Sequence, residues 1–404
     1  MEELNNRMIN RYRTNEKIVY KLNTPLFIIF FLFLLLNITS ANIQAFIMVA
    51  CSLYAIFIWF NQRKIGVLPV VFFILTFFVA IWALTATYQL SLYYFISELK
   101  IIILFTFPSF FYFLIEGLPF KAMMRTFFKG YVLMVLMVTM SGYLISGTFR
   151  DTGFLGFSIY ISVSLVLFLS YFYTDISLTW KILTFICVFM LGSSNGLIAY
   201  FVLILLKAVI PIWLKIVPAI GGAMASYWYI TVFRGRKLAD GGIWTIDRVL
   251  ITRSVINYTG KNFQLFNYLF GFGIGKPLDN FRIISPVTSE KVTGFINWYM
   301  SVNQNGVYPF SFHNEFLRIF YNFGFIGLGL ILIFLYKNLN RETLIILLLT
   351  CLTNTIIYST IGLFTLSFLI AVNMLEKKEE RLERAISDEK SDQKFSVKFS
   401  LWNN

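Results

Sequence analysis

The chain has 404 residues, of which 58% are hydrophobic and only 13% are Asp, Glu, Lys or Arg. A soluble domain carries roughly a quarter charged residues, so this composition excludes an ordinary water-soluble globular protein. The formal charge is +14, and in so apolar a chain that excess points to basic loops setting membrane topology, not to nucleic acid.

Apolar stretches long enough to cross a hydrocarbon core recur from Leu22 almost to Leu375. The first 24 residues are polar and basic, and no small-residue cleavage site follows the first apolar run. That run is therefore expected to be a membrane helix and not a cleaved signal. In chain order the spans are expected at 22–39, 41–60, 66–86, 97–115, 130–148, 156–174, 179–192, 196–214, 216–233, 314–336, 342–359 and 361–375. The fold class expected is an all-α polytopic membrane protein of about twelve transmembrane helices, nine in 22–233 and three in 312–375. The runs 179–192 and 361–375 are short for a crossing of about 20 residues. A single helix over 181–214 would be too long, and Asn195–Gly196 is a turn signal, so a break is expected near Ser193–Gly196.

Short-loop charge sets the orientation. With both ends inside, the cytoplasmic face collects Arg7, Arg11, Arg13, Lys17, Lys21, Arg63, Lys64, Lys121, Arg125, Lys129, Lys181, Lys207, Lys215, Lys337 and Arg341. The short outer loops hold little beyond Lys100 and Arg150. Residues 234–311 then form one long periplasmic loop, expected to carry short helices at the membrane surface. Residues 376–404 form a charged cytoplasmic tail, helical or unstructured. The three cysteines, Cys51, Cys187 and Cys351, lie in apolar segments and suggest neither disulfides nor a thiolate metal site.

Three features carry possible chemistry. The single histidine, His313, opens the span 314–336 in the peptide Phe312-His313-Asn314-Glu315-Phe316-Leu317-Arg318. Gly324 follows eleven residues later and Gly327 after it; on a helix His313 and Gly324 would share a face about 16 Å apart. Glycines so placed let a neighbouring helix approach closely. A histidine at the rim above such a stem suits a catalytic base, and equally an interfacial histidine without a role. Second, the loop 234–311 holds nine basic residues, among them Arg248, Arg253, Lys261, Lys276 and Arg282, against four acidic ones. With Arg150 and Arg318 nearby in the topology, they form either a seat for phosphate oxygens or a solvated loop drawn to anionic headgroups. Third, Gly271-Phe272-Gly273-Ile274-Gly275-Lys276-Pro277 has neither Rossmann nor P-loop spacing, so it reads as a glycine turn that shapes backbone. No Asp-X-Asp pair occurs, and one histidine cannot build a zinc cluster.

His313-Asn314 followed by Gly324-Phe325-Ile326-Gly327 resembles the histidine motif of bacterial O-antigen ligases and Wzy-type O-antigen polymerases, where it opens a late helix after a long periplasmic loop. The stretch Leu269–Gly275 looks like the glycine-rich segment of that family. Arg248 stands at about the family's loop-arginine distance, and Arg150-Asp151-Thr152-Gly153-Phe154 resembles its earlier arginine–glycine segment. The resemblance covers the whole chain in topology but only short motifs in residues. Many relatives have Ser-Arg-Gly or Thr-Arg where this chain has Ser193-Ser194-Asn195-Gly196, so another group must replace that arginine at the diphosphate here.

The resemblance implies a metal-independent, cofactor-free glycosyltransferase of the bacterial inner membrane. It would move a glycan from undecaprenyl diphosphate to a sugar hydroxyl on the periplasmic face. In a polymerase the acceptor is another lipid-linked repeat unit, and a chain-length regulator is a possible partner; in a ligase the acceptor is lipid A-core. His313 would take the acceptor proton, with an unperturbed pKa of about 6.5. Arg150, Arg248, Arg253 and Arg318 would hold the diphosphate, while Asn314, Glu315, Gly324, Gly327, Gly271 and Gly273 would serve the acceptor or shape the motifs. A flippase for the same lipid-linked sugars is the competing class. Transporters, however, place charges within their spans and show internal repeats, and this chain shows neither clearly.

Overall fold

A computed structural model of the chain describes residues 92–115, 120–147, 158–208, 211, 220, 224, 247–274, 276–286, 289–303, 307, 309, 312–352 and 354–401. Among these residues the structure is all-helical, with one isolated antiparallel bridge between Leu278 and Val307. The spans expected at 22–39, 41–60 and 66–86 lie outside the described residues, as does 216–233 apart from Ile220 and Met224.

Helices α1 (Leu92–Ile115), α2 (Phe120–Ser146), α3 (Ser158–Phe172), α4 (Leu178–Met190) and α5 (Ser194–Lys207) form the first group. α1 and α2 begin before the runs expected for them, and α5 ends before its own. The break expected near Ser193–Gly196 is present. Gly192 takes a left-handed φ of 65° past the end of α4. Ser193 then caps α5, its hydroxyl accepting from the Gly196 amide at 3.1 Å. The two helices fold back antiparallel: the Phe185 and Tyr200 rings lie 5.3 Å apart, and the Tyr200 hydroxyl donates to the Lys181 carbonyl at 2.9 Å. Gly196 sits directly on Ser162 of α3, leaving no room for a side chain.

The second group comprises α9 (Glu315–Asn338), α10 (Arg341–Cys351) and α11 (Thr360–Leu401). α11 lies along α1, with the Phe111 ring 4.8 Å from Phe364 and 5.4 Å from Phe368. Segments Arg125–Ser146 and Glu315–Asn338 are each long and apolar enough to cross a membrane. On α2, Leu144 and Ile145 stand 81% and 86% exposed, a surface that suits lipid better than water. Where a continuous helix was expected at 342–359, α10 stops at Cys351 and a turn follows before α11. The polar run Thr353-Asn354-Thr355 marks where the apolar stretch is interrupted. The decisive group is a carboxylate from elsewhere, described below.

Between the two groups lie α6 (Asp247–Asn262), α7 (Leu265–Phe270) and α8 (Glu290–Val302). They have a hydrophobic cluster of their own, in which Leu250, Ile251, Val255, Leu278, Val292 and Phe312 are buried. Tyr321 of α9 belongs to this cluster, while Ile319 and Phe323 belong to the cluster of the helical bundle. α9 is thus the element shared by both cores.

Candidate active site

α9 is not one continuous helix. Gly324 breaks it with φ 64° and ψ −166°, a conformation that only glycine adopts without strain. The carbonyls freed at the break are taken by the glycine-rich segment: Phe272 N donates to Tyr321 O at 2.8 Å, and Gly273 N to Asn322 O at 3.2 Å. Gly271 (φ 77°) and Gly273 (φ 95°) turn the backbone so that it can run against α9. Gly327 sits under the Phe323 side chain on the next turn, again without room for a Cβ. The two glycine motifs picked out in the sequence therefore meet, backbone on backbone.

The break leaves the N-terminal end of α9 with its first turn beside α6. Asn314 caps it, its side-chain oxygen accepting from Leu317 N at 3.1 Å. Asp247 opens α6 in a related way, accepting from Arg248 N at 2.9 Å. One face of α6 then meets that end of α9 across a cleft of about 550 Å3, lined by Arg248, Val249, Thr252, Arg253 and Ile256 together with Asn314 and Leu352. Its chemistry is two-sided. Two guanidinium-bearing residues and an amide stand against Val249, Ile256 and Leu352, the last two about half exposed.

His313 is exposed and adjoins the lining residue Asn314. Partial removal from water, and then the positive charge of Arg248, push its pKa below the usual 6.5; Asp247 pulls weakly the other way. The imidazole is therefore neutral at neutral pH, the form that accepts a proton.

Glu315 and Arg318 are placed differently. Glu315 is fully buried (0% exposed) and points its carboxylate into the turn after α10. It accepts from Ile357 N at 2.8 Å and Tyr358 N at 2.9 Å, and from the Cys351 thiol at 3.3 Å. Arg318, 3% exposed, stacks its guanidinium 3.5 Å over the Tyr358 ring. These two residues fasten the 352–359 turn, whose first residue, Leu352, walls the cleft. Arg318 does not line the cleft.

The structure thus brings Arg248, Arg253, His313 and Asn314 together, and separately joins Gly271 and Gly273 to Gly324. Arg150 lies outside the described residues. Sequence reasoning missed Leu352 and Tyr358. The one signal for them was a carboxylate at the mouth of an apolar span, which demands a buried partner. Compared with known proteins, the chain matches no family model, no curated protein and no solved structure.

Proposed function

We propose that this protein is a membrane glycosyltransferase of the Wzy polymerase type, acting on undecaprenyl-diphosphate-linked oligosaccharides at the periplasmic face of the bacterial inner membrane. The observation that carries the reading is the cleft in which Arg248 and Arg253 stand among Val249, Ile256 and Leu352, next to His313. A lipid diphosphate has the same mixed character: an anionic head for paired guanidinium hydrogen bonds and a polyprenyl tail for apolar side chains. The twelve-span topology, with both termini cytoplasmic, belongs to the same proposal.

The chemistry asked of these residues is small. The donor is already activated, since diphosphate is a good leaving group. His313, neutral and exposed, takes the proton of the acceptor hydroxyl as its oxygen bonds to the anomeric carbon. The bond from that carbon to the diphosphate oxygen breaks, and the electron pair leaves with the diphosphate. Arg248 and Arg253 meet the charge that grows there. Asn314 fixes the start of α9, and with it the position of His313.

Reconstitution of the purified protein with its lipid-linked repeat unit, comparing wild type with His313→Ala, tests the reading. A ladder of longer lipid-linked glycans that vanishes in the variant is expected. A ladder that survives removes His313 as the base. Transfer only after lipid A-core is added makes the protein a ligase, and movement of the lipid-linked unit across the bilayer without any transfer makes it a transporter.

A further inference from the structure

α6 carries a second cavity on its other side. At 100° per residue, positions 248, 249, 252, 253 and 256 occupy one arc of the helix, and 254, 257, 258, 261 and 262 occupy the opposite one. The second set opens on a groove of about 430 Å3, closed on its far side by Phe272, Lys276, Asp279, Asn280, Arg282 and Ile284. Its volume lies within the range of small-molecule sites.

The groove is built rigidly. The Ser254 hydroxyl donates to Leu250 O and accepts from Ile284 N, both at 2.8 Å, so it pins the far wall to α6. The Tyr321 hydroxyl holds Pro277 O at 3.2 Å, and Leu278 N is bonded to Val307 O at 2.7 Å. The Tyr258 ring meets Phe281 edge-on at 6.0 Å.

Its lining differs in kind from that of the first cleft. Amides come from Asn257, Asn262 and Asn280, and the charges are Lys261, Lys276 and Arg282 against Asp279 alone. Lys276 lies 4.5 Å over the Phe272 ring, which leaves a cation beside an aromatic face. Among the described residues, neither Lys261 nor Arg282 forms an ion pair. The three amides and the Tyr258 hydroxyl suit a polyol, and the excess positive charge suits a polyol with a carboxylate. A polyprenyl tail would find too little apolar wall.

We propose that this groove is a saccharide subsite for an acidic sugar, a uronate, of the glycan being handled. The proposal rests on the transferase reading for its context. A ligand filling both cavities would cross about one helix diameter, roughly 10–12 Å, so the sugar here is not the one joined to the diphosphate but one further along the chain, or on the acceptor.

The test uses full-length protein in nanodiscs and a panel of uronate-containing oligosaccharides, each paired with its carboxyl-reduced twin. Binding is read by saturation-transfer NMR and titration. At least one acidic member is expected to bind about tenfold more tightly than its twin, the size of one charge-assisted hydrogen bond. That advantage should disappear in Lys261→Gln and Arg282→Gln, both exposed positions where folding is not at stake, and persist in His313→Ala. No acidic preference anywhere in the panel, or a preference untouched by the two substitutions, overturns the subsite. Competition by inorganic diphosphate that depends on Lys261 also overturns it, since the groove would then be a phosphate site. A wild-type protein that keeps the acidic preference but makes no ladder, and no transfer to added lipid A-core, sinks the transferase reading and leaves the subsite standing. A ladder without the preference does the reverse.

Discussion

Gly271 and Gly324 lie back to back, each in a left-handed conformation and each against the other's backbone. A Cβ on Gly271 would stand within 3.0 Å of the Asn322 carbonyl, and one on Gly324 within 3.0 Å of the Leu269 carbonyl. Neither obstacle is a side chain that could swing away. Gly324→Ala and Gly271→Ala are each expected to cost about 1–3 kcal/mol from backbone strain alone, with the steric clash added. Thermal melting in detergent, followed by size-exclusion profile, checks this. Gly329, further along α9 with nothing within 4 Å of its would-be Cβ, is the control, and Gly329→Ala should melt like wild type.

Glu315 and the turn after α10 depend on each other. Glu315→Gln keeps the shape but turns one acceptor into a donor facing an amide, and leaves the buried Arg318 without its nearby negative charge. Breaking such a buried arrangement costs about 3–5 kcal/mol. The expected result is a lower melting temperature together with proteolytic nicking between Leu352 and Ser359. Nicking elsewhere, with that turn intact, would contradict the role given to the carboxylate.

The acid limb of activity should lie below the ordinary histidine range. His313 is held neutral by desolvation and by Arg248, so turnover should be constant near neutrality and fall only as pH drops through the lowered pKa. Removing the Arg248 charge takes away one of the depressing causes, and Arg248→Gln should therefore move the acid limb to higher pH. The stability sign agrees. Because the folded pKa lies below the unfolded one, the unfolded chain binds more protons just below pH 6.5, and stability falls as pH falls through that window. Initial rates across pH for wild type and Arg248→Gln decide the matter.

Arg253 offers a separate handle on the leaving group. If it meets the developing charge, Arg253→Ala should lower the rate by about a hundredfold. Arg253→Lys should recover part of the loss, because the charge returns without the paired geometry. Equal losses in the alanine and lysine variants would point to packing instead.

Much of the helical layout could be read from hydrophobic run length, because a buried or lipid-facing helix needs apolar residues all round. The turn at Ser193–Gly196 was legible for the opposite reason, since polar capping residues and a glycine interrupt the run. The turn at 352–359 was missed although Thr353, Asn354 and Thr355 interrupt the apolar run, because the groups that hold it, Glu315 and Arg318, come from a different helix. His313, Arg248 and the glycine motifs stood out by residue type. Their partnerships did not, because the two glycine segments are joined by backbone hydrogen bonds, from Phe272 N to Tyr321 O and from Gly273 N to Asn322 O, that carry no side-chain signature. The opposed faces of α6 were invisible for a related reason. Its apolar residues Leu250, Ile251 and Val255 mark the buried side, and the polar positions interleaved with them, Ser254, Asn257 and Tyr258, do not show that a groove opens there.

The break in α9 also bears on how the chain is made. Phe272 and Gly273 leave the ribosome before Tyr321 and Asn322, whose carbonyls they claim. A late helix with an orphaned pair of carbonyls cannot rest in hydrocarbon, so its arrival and the docking of the earlier segment are one event. The nascent protein must keep that glycine-rich strip unoccupied until its last helices emerge, and a chain truncated before Glu315 would expose it permanently, as a ready mark for quality-control proteolysis.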